Sequence, residues 1–571
     1  MQASKSTIND IFNQNKVLEI PFFQRSYVWN DDQWERFLED MEMVSETNKP
    51  YFLGSVILKQ QPTQSNQSVG DRRTVIDGQQ RLTTLSIFFK VLSLKLQNPY
   101  FNNIFRLPLA NNQIALQHNH NDIQAFNRVQ NLEEEVELKE TDHITRAYEY
   151  FRIHLDPNSI NPQNILTNIM FVGIDLSHDD DEQQIFDTIN SLGVKLTTAE
   201  LLKNYFFGRN DYDKYVEYWQ SVFEANDDCK EYWDTEIVAG RIRRHFIDLF
   251  FYSFLQIKIQ DNQFNVSTED KKLFTKVDGL FDSYKRFIQE YSIDKTLFIQ
   301  EIKEYALLFM DNFDLSVLDS ELPASSGMER MNAIVFGLEN TTLIPYLLFV
   351  LKNVPNQTER DSIFDFLEAY IMRRMVCHAN TKSYNFIFSE NLIQNQILSR
   401  DSLKQQLEKR ATDNNFIPSD TELIEGFLNS RLVNKQSTGI IYFLESKARN
   451  RNLHSTGLLG LKSYTLEHVM PKKWENNWPS VSTPEEKNRR YRALMTLGNL
   501  TILPSSLNSS IRDGAWDIKK NGTATKPGLI QYAAGLETFG QYLQKDEWDE
   551  NTITERGEFL AQLAIQYWTV Q

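Results

Sequence analysis

Cysteine is almost missing from this chain: the two residues present, Cys229 and Cys377, lie far apart and form no Cys-x-x-Cys pair. That excludes a disulfide framework and a cysteine-ligated structural zinc. Long apolar runs are also missing, and none approaches the roughly 20 residues that cross a bilayer, so no membrane association is expected. The first residues hold no basic segment followed by an apolar stretch, so nothing suggests secretion and a cytoplasmic protein is expected. Positive charge is scarce: the net charge of −17 argues against a protein that coats DNA by neutralising phosphates. The scarcity is uneven, because Leu461 to Asn521 carries ten Lys or Arg against six Asp or Glu. An acidic protein with such a local excess can still dock on DNA.

What is present describes a globular chain. Hydrophobic content of 41% is too high for a disordered polymer, and 571 residues are too many for one hydrophobic core. Three regions are expected: 1–210, 211–430 and 431–571. The first is mixed α/β, with extended stretches at Val17–Pro21, Tyr51–Leu58, Thr74–Ile76 and Asn168–Asp175. Helical spacing predicts Asp31–Met43 and Gln79–Lys95 as helices. Thr197 and Glu200 have the spacing of a capping box at the start of another. The second region reads as helical throughout, and Ser430–Asn452, polar and basic, as a connector into the third. The fold class is therefore α+β and multidomain.

Chemistry is densest in TLEHVMPKKW (465–474) and LGNLTILPSSLNSSIRDGAWDIKK (497–520). Phosphodiester hydrolysis needs a base for water and a stabiliser for charge on phosphate and leaving oxygen. Histidine suits the first task, and a hard divalent cation on oxygen ligands suits the others. Glu467, His468 and Asn508 supply a carboxylate oxygen, an imidazole and an amide oxygen. Neighbours on a strand face opposite ways, so Glu467 and His468 share a site only if the strand ends there; Pro471 makes that ending reasonable. Leu497–Leu503 reads as a second strand. A helix starting at Asn508 would run towards Lys519 and Lys520, either of which could meet a DNA phosphate.

Two further clusters lie near the N-terminus. IPFFQRSYVW (20–29) gathers Gln24, Arg25, Tyr27 and Trp29, and VIDGQQRLTT (75–84) places Asp77, Gly78, Gln79, Gln80 and Arg81 between a strand and a helix. Polar groups at a helix N-terminus suit anions, and Gly78 permits close backbone approach. Ordinary helix capping by Asp77 accounts for the same residues.

The order Glu-His-x-x-Pro, Gly-Asn-Leu, then Asn508, resembles the HNH (His-Me finger) nucleases, most closely their DUF1524 branch. The N-terminal clusters resemble the DUF262 family, as do FDTINSLGVKLTTAELLKNYFF (186–207) and the Arg373–Arg374 segment. The same domain order occurs in the GmrSD-type and SspE-like proteins of bacterial antiphage defence. The resemblance implies a ParB-like N-terminal fold, a helical middle and a C-terminal ββα HNH domain. It implies that His468 activates water, that Asn499 holds the loop positioning it, and that Glu467 and Asn508 bind Mg²⁺ or Mn²⁺. It also implies that the Asp77–Arg81 end, with Gln24, Arg25, Tyr27 and Trp29, binds and hydrolyses a nucleoside triphosphate, GTP or ATP. Trp548, Ile553, Arg556 and Trp568 match the family's tail.

The expected function is an NTP-regulated, metal-dependent DNA endonuclease of the type IV restriction class, acting on modified phage DNA. The competing reading is a nucleotide-gated DNA or partner sensor without cleavage. A double-strand break would need two active sites, which leaves a homo-oligomer open.

Overall fold

Runs of β-branched and aromatic residues in the first 180 positions build one mixed sheet. The computed structural model describes residues 2–13, 16–61, 71–177, 197–208, 211–239, 242–275, 279–325, 327–409, 416–449, 457–505 and 513–571. These fall into two compact units, Met1–Glu217 and Tyr218–Gln571. No helix among the described residues is long and apolar enough to cross a membrane.

In the first unit six strands form the sheet: β1 (Gln2–Thr7), β2 (Lys16–Glu19), β3 (Tyr51–Gln60), β4 (Asp71–Asp77), β5 (Leu116–Gln117) and β6 (Ile169–Leu176). Their order across the sheet is β1-β6-β3-β4-β2-β5. β3 and β4 are antiparallel, whereas β6 on β3 and β2 on β4 run parallel. Sequence pattern misses β1, whose residues QASKST are small and polar. Antiparallel pairing with β6 at the sheet edge makes it a strand.

Helix α1 (Asp31–Thr47) starts at a capping box of Asn30 and Gln33 and ends at Asn48 in the left-handed region. It runs a turn past the expected Met43 because Val44 and Ser45 are buried too. Helix α2 (Gln79–Lys95) has the expected bounds, but it is buried around most of its circumference rather than along one face. Helix α3 (Thr198–Phe206) opens with the Thr197–Glu200 box. The Asn190–Gly193 turn and most of the acidic run at 177–182 lie outside the described residues.

The second unit is mainly helical. It departs from an all-helical middle at a hairpin, β7 (Glu236–Ala239) with β8 (Ile242–His245), which is too short to show periodicity. Helix α4 (Gln357–Val376) carries Arg373 and Arg374, both buried. Arg373 donates to the carbonyls of Trp568 and Pro418, and Arg374 to those of Phe416 and Asn380. The expected connector at 430–452 is instead helix α5 (Asn434–Ala448), which buries Ile440 through Leu444. Its polar residues misled because Glu445, fully buried, is satisfied by the Glu537 and Thr538 backbone amides.

The C-terminal part of this unit holds β9 (Tyr464–His468), α6 (Pro484–Ala493), β10 (Leu500–Pro504), α7 (Trp516–Asn521) and α8 (Glu550–Tyr567). β9 and β10 pair antiparallel, with His468 opposite Leu500 and Glu467 opposite Thr501. The strand expected from Leu497 begins three residues later, after a 3₁₀ turn at Leu497–Asn499.

Candidate active site

β9 ends at His468, and the chain then turns away under a clamp made by Asn499. The Asn499 side chain accepts from the Met470 backbone N–H at 2.8 Å and donates to the Met470 and Leu494 carbonyls at 2.9 and 3.0 Å. The Val469 N–H donates to the Asn499 carbonyl at 3.0 Å. Asn499 is itself fully buried and receives the Trp548 indole N–H at 3.0 Å. A single amide therefore fixes the backbone on both sides of the turn after His468. Each bond is formed away from water, where an unmade one would cost about 1–3 kcal/mol.

Arg556 of α8 secures the other arm. It is fully buried and donates to the carbonyls of Thr538, Gly498 and Leu500, at 3.0, 2.8 and 2.7 Å. Gly498 sits so close to α8 that an added Cβ would lie 2.1 Å from the Ile553 carbonyl. That contact, not a special backbone angle, requires glycine there. Without zinc-binding cysteines, these packed side chains brace the two strands.

Glu467 and Lys519 form a buried ion pair beneath the end of β9, with the Lys519 ammonium also donating to the His468 carbonyl at 2.7 Å. Burial pushes the Glu467 carboxyl up and the Lys519 ammonium down, each opposed by the other's charge. Lys519 is thus not at a surface where it could meet a DNA phosphate. The sequence pattern gave no sign of that depth. Lys520 is half-buried, bonded to the Lys545 carbonyl at 3.1 Å and lying over the Trp516 ring. Asn508 lies outside the described residues, and the helix expected from it is described only at Trp516–Asn521.

His468 is half-buried, and its Nε2 has no hydrogen-bond partner among the described residues. Burial, reinforced by the Lys472 and Lys519 ammoniums, pushes its pKa down to about 4. At neutral pH the ring is therefore uncharged and able to accept a proton. Lys472, exposed four residues beyond His468, escaped sequence reasoning; its only signal was the Pro-Lys-Lys that follows the Glu-His pair.

In the first unit, structure divides the nine expected nucleotide residues. Gln24 donates from inside the fold to the Val75 and Ile76 carbonyls at 2.7 and 3.2 Å. Gln79 donates to the Arg25 carbonyl, and Gln80 both donates to the Ser26 carbonyl and accepts the Val28 N–H. Tyr27 is buried between Thr84 and the Trp34 indole N–H. These bonds stitch IPFFQRSYVW to β4 and α2. Trp29 is half-buried, packed on Phe37.

Asp77, Gly78, Arg81 and Arg25 remain, the first three at the junction of β4 with α2. Arg81 donates to Asp77 Oδ2 at 3.0 Å and to the Ser55 carbonyl at 2.8 Å, while Ser55 Oγ donates to Asp77 at 2.9 Å. Asp77 does not cap α2. The N-cap is Gly78, with φ of 101°, and no side chain bonds the first turn's N–H groups. Arg25 lies 3.9 Å from Glu200.

Other polar features proved structural. His118 is buried against Thr83, 3.0 Å from its hydroxyl. Burial pushes the Cys377 thiol up to about 11, opposite to what a nucleophile needs. No cluster of three or more His, Cys, Asp or Glu suited to a metal ion occurs among the described residues.

Comparison with known families adds two matches. The family described as the GmrSD restriction endonuclease, N-terminal domain, matches residues 8–207. The family described as GmrSD restriction endonucleases, C-terminal domain, matches residues 404–563, so together they span more than half of the chain. No curated protein matches it.

Proposed function

Since this chain belongs to the GmrSD restriction endonucleases, a family whose substrate is DNA, we propose that His468 is the general base of its cleavage centre. One observation carries this reading: a neutral imidazole is held at a clamped strand end, with a buried ring nitrogen that no described residue satisfies. Such an atom calls for water or ligand. With the pKa pushed down, the His468 ring stays unprotonated across neutral pH, which is the form a general base needs, while the same shift makes it a weaker proton acceptor than an ordinary histidine. Asn499 keeps the imidazole aimed by fixing the chain on its C-terminal side. In this reading the β9–β10 pair and α7 would be the ββα unit of an HNH domain, and the first unit's sheet a ParB-like fold.

Metal dependence belongs to the same reading. Lys519 occupies one oxygen of Glu467, so the carboxylate can offer a cation a single further oxygen, with Asn508 as the other protein ligand. That sparse oxygen set fits Mg²⁺ or Mn²⁺, which keep waters and phosphate oxygens in their remaining positions. When bound, the ion would stabilise charge on the phosphate and leaving oxygen.

The nucleotide site reduces to Asp77, Gly78, Arg81 and Arg25. The uncapped first turn of α2 offers N–H groups to an anion, and Arg81 and Arg25 could turn to it from the carboxylates of Asp77 and Glu200 that they now face. NTP binding and hydrolysis there would regulate cutting of modified phage DNA by the second unit.

Purified chain should cut DNA with Mg²⁺ or Mn²⁺ and lose all cleavage in EDTA, regaining it when metal is restored. Genomic DNAs with and without base modification, incubated with GTP, ATP or neither, should differ in cleavage rate. Asp77→Ala should abolish nucleotide turnover while leaving metal-dependent cutting chemistry in place. Absence of cleavage on every DNA and nucleotide combination would sink the reading.

A further inference from the structure

Between β9 and β10 the chain makes a 31-residue excursion, 469–499, whose cations point in two directions. Arg489 and Arg490 anchor α6. Arg490 is buried, lies 4.6 Å over the Trp474 ring, pairs with Glu550 and donates to the Pro479 carbonyl. Arg489 donates to Asn551 at 2.7 Å. Of the first-turn acids, Glu486 closes the capping box with Thr483, whereas Glu485 is exposed on the side of α6 that Arg492 occupies two turns later.

With those anchors set, Lys487, Asn488, Tyr491 and Arg492 project outward along one arc of the helix, all exposed. The side chains of Lys487, Asn488 and Arg492 close no hydrogen bond or ion pair within 4 Å among the described residues, although Lys487 lies near enough to Glu475 to help hold its carboxyl down. Tyr491 lies edge-on to Trp474, at 6.1 Å between ring centres, and bonds Glu475 at 2.9 Å. Tyr491 of this arc meets Trp474, which directly follows exposed Lys472 and Lys473 in the chain, four and five residues after His468.

We infer that this face, made by Lys472, Lys473, Lys487 and Arg492 with Asn488 and Tyr491, is the surface that holds the DNA backbone beside the cut. It takes the phosphate-binding role that sequence pattern had assigned to Lys519 and Lys520. The inference rests on the reading of His468 as the cleavage centre. The chemistry is that of a polyanion track: exposed ammonium and guanidinium groups for phosphate oxygens, with the Asn488 amide as a donor between them. In a chain of net charge −17, such a face is where a polyanion can approach without broad repulsion.

Binding of labelled 30-base-pair duplex to the full chain, without divalent metal and over a range of salt, tests it. The Lys487→Glu/Arg492→Glu protein should bind at least 10-fold more weakly at low salt. The slope of log affinity against log salt should fall by about two, as expected for two lost phosphate contacts. The neutral pair Lys487→Gln/Arg492→Gln should show a smaller loss in the same direction, and exposed Lys382→Glu no loss. Thermal unfolding of each variant separates lost binding from lost fold. An unchanged affinity and slope in both α6 pairs, or no DNA binding by the unsubstituted chain, overturns the proposal. Cleavage is scored separately: a His468→Ala protein that still cuts removes the cleavage reading, whatever the binding data say.

Discussion

His468→Ala is expected to lower DNA cleavage by about 10²- to 10⁴-fold, the range that a positioned general base supplies. DNA binding and thermal stability should be almost unchanged, because the imidazole Nε2 makes no hydrogen bond with described residues that the substitution would break. Single-turnover cleavage, measured beside affinity on the same preparation, separates this from a folding defect. The pH profile gives a second readout. Since burial, Lys472 and Lys519 push His468 down to about 4, the base is lost only as pH falls towards that value. The acid limb should therefore lie well below the 6.5 of an ordinary histidine. Lys472→Ala removes one of the cations disfavouring the protonated ring, so it should move that limb upward. A limb centred at 6.5 in the unsubstituted protein would contradict the described environment.

Lys519→Met is expected to cost about 3–5 kcal/mol in the stability of the second unit, because it strands the buried Glu467 carboxylate without its partner. It also removes the ammonium from the His468 carbonyl, so cleavage should fall with stability. Adding Glu467→Gln in the same chain should recover much of the lost stability, since a neutral amide replaces the orphaned charge. It should not recover cleavage if Glu467 holds the metal. Denaturant unfolding of the three proteins checks this, and a single substitution costing under about 1 kcal/mol would mean that the pair is not buried as described. The same pair bounds the metal question: a cation at Glu467 shares the carboxylate with an ammonium, so its affinity should rise in Lys519→Met protein that remains folded.

Much of the candidate site was legible because its parts are local. Glu467-His468-x-x-Pro471 states a strand end in five residues, and Asn499 stands in a Gly-Asn-Leu turn whose chemistry is equally short-range. The bounds of α2 were legible for the same reason, with Gly78 ahead of a long apolar helix. The elements that escaped depend on partners far along the chain. β1 is a strand because β6 pairs with it more than 160 residues later. α5 reads as a polar connector until Glu445 meets the backbone at 537–538.

Depth was the property that pattern reasoning handled worst. Lys519 and Lys520 read as surface cations, since lysines mostly are. Burial of Lys519 is tolerable only because Glu467 and the His468 carbonyl lie within reach, a fact of folding rather than of spacing. Likewise, Gln24, Tyr27, Gln79 and Gln80 read as ligand-facing, and they turned out to bond a loop to the β4 strand and the α2 helix more than 50 residues away.

The amino-acid order alone determined which chemical groups this protein owns and their local sequence: an imidazole beside a carboxylate, a turn amide after it, and a glycine before a helix. Local order suffices there because strand ends, turns and caps are set by a few neighbouring residues. Only tertiary structure decided which of those groups face outward. It turned Lys519 inward onto Glu467 and left Lys472, Lys487 and Arg492 to the solvent, because burial of a charge depends on a counter-charge that chain separation does not reveal.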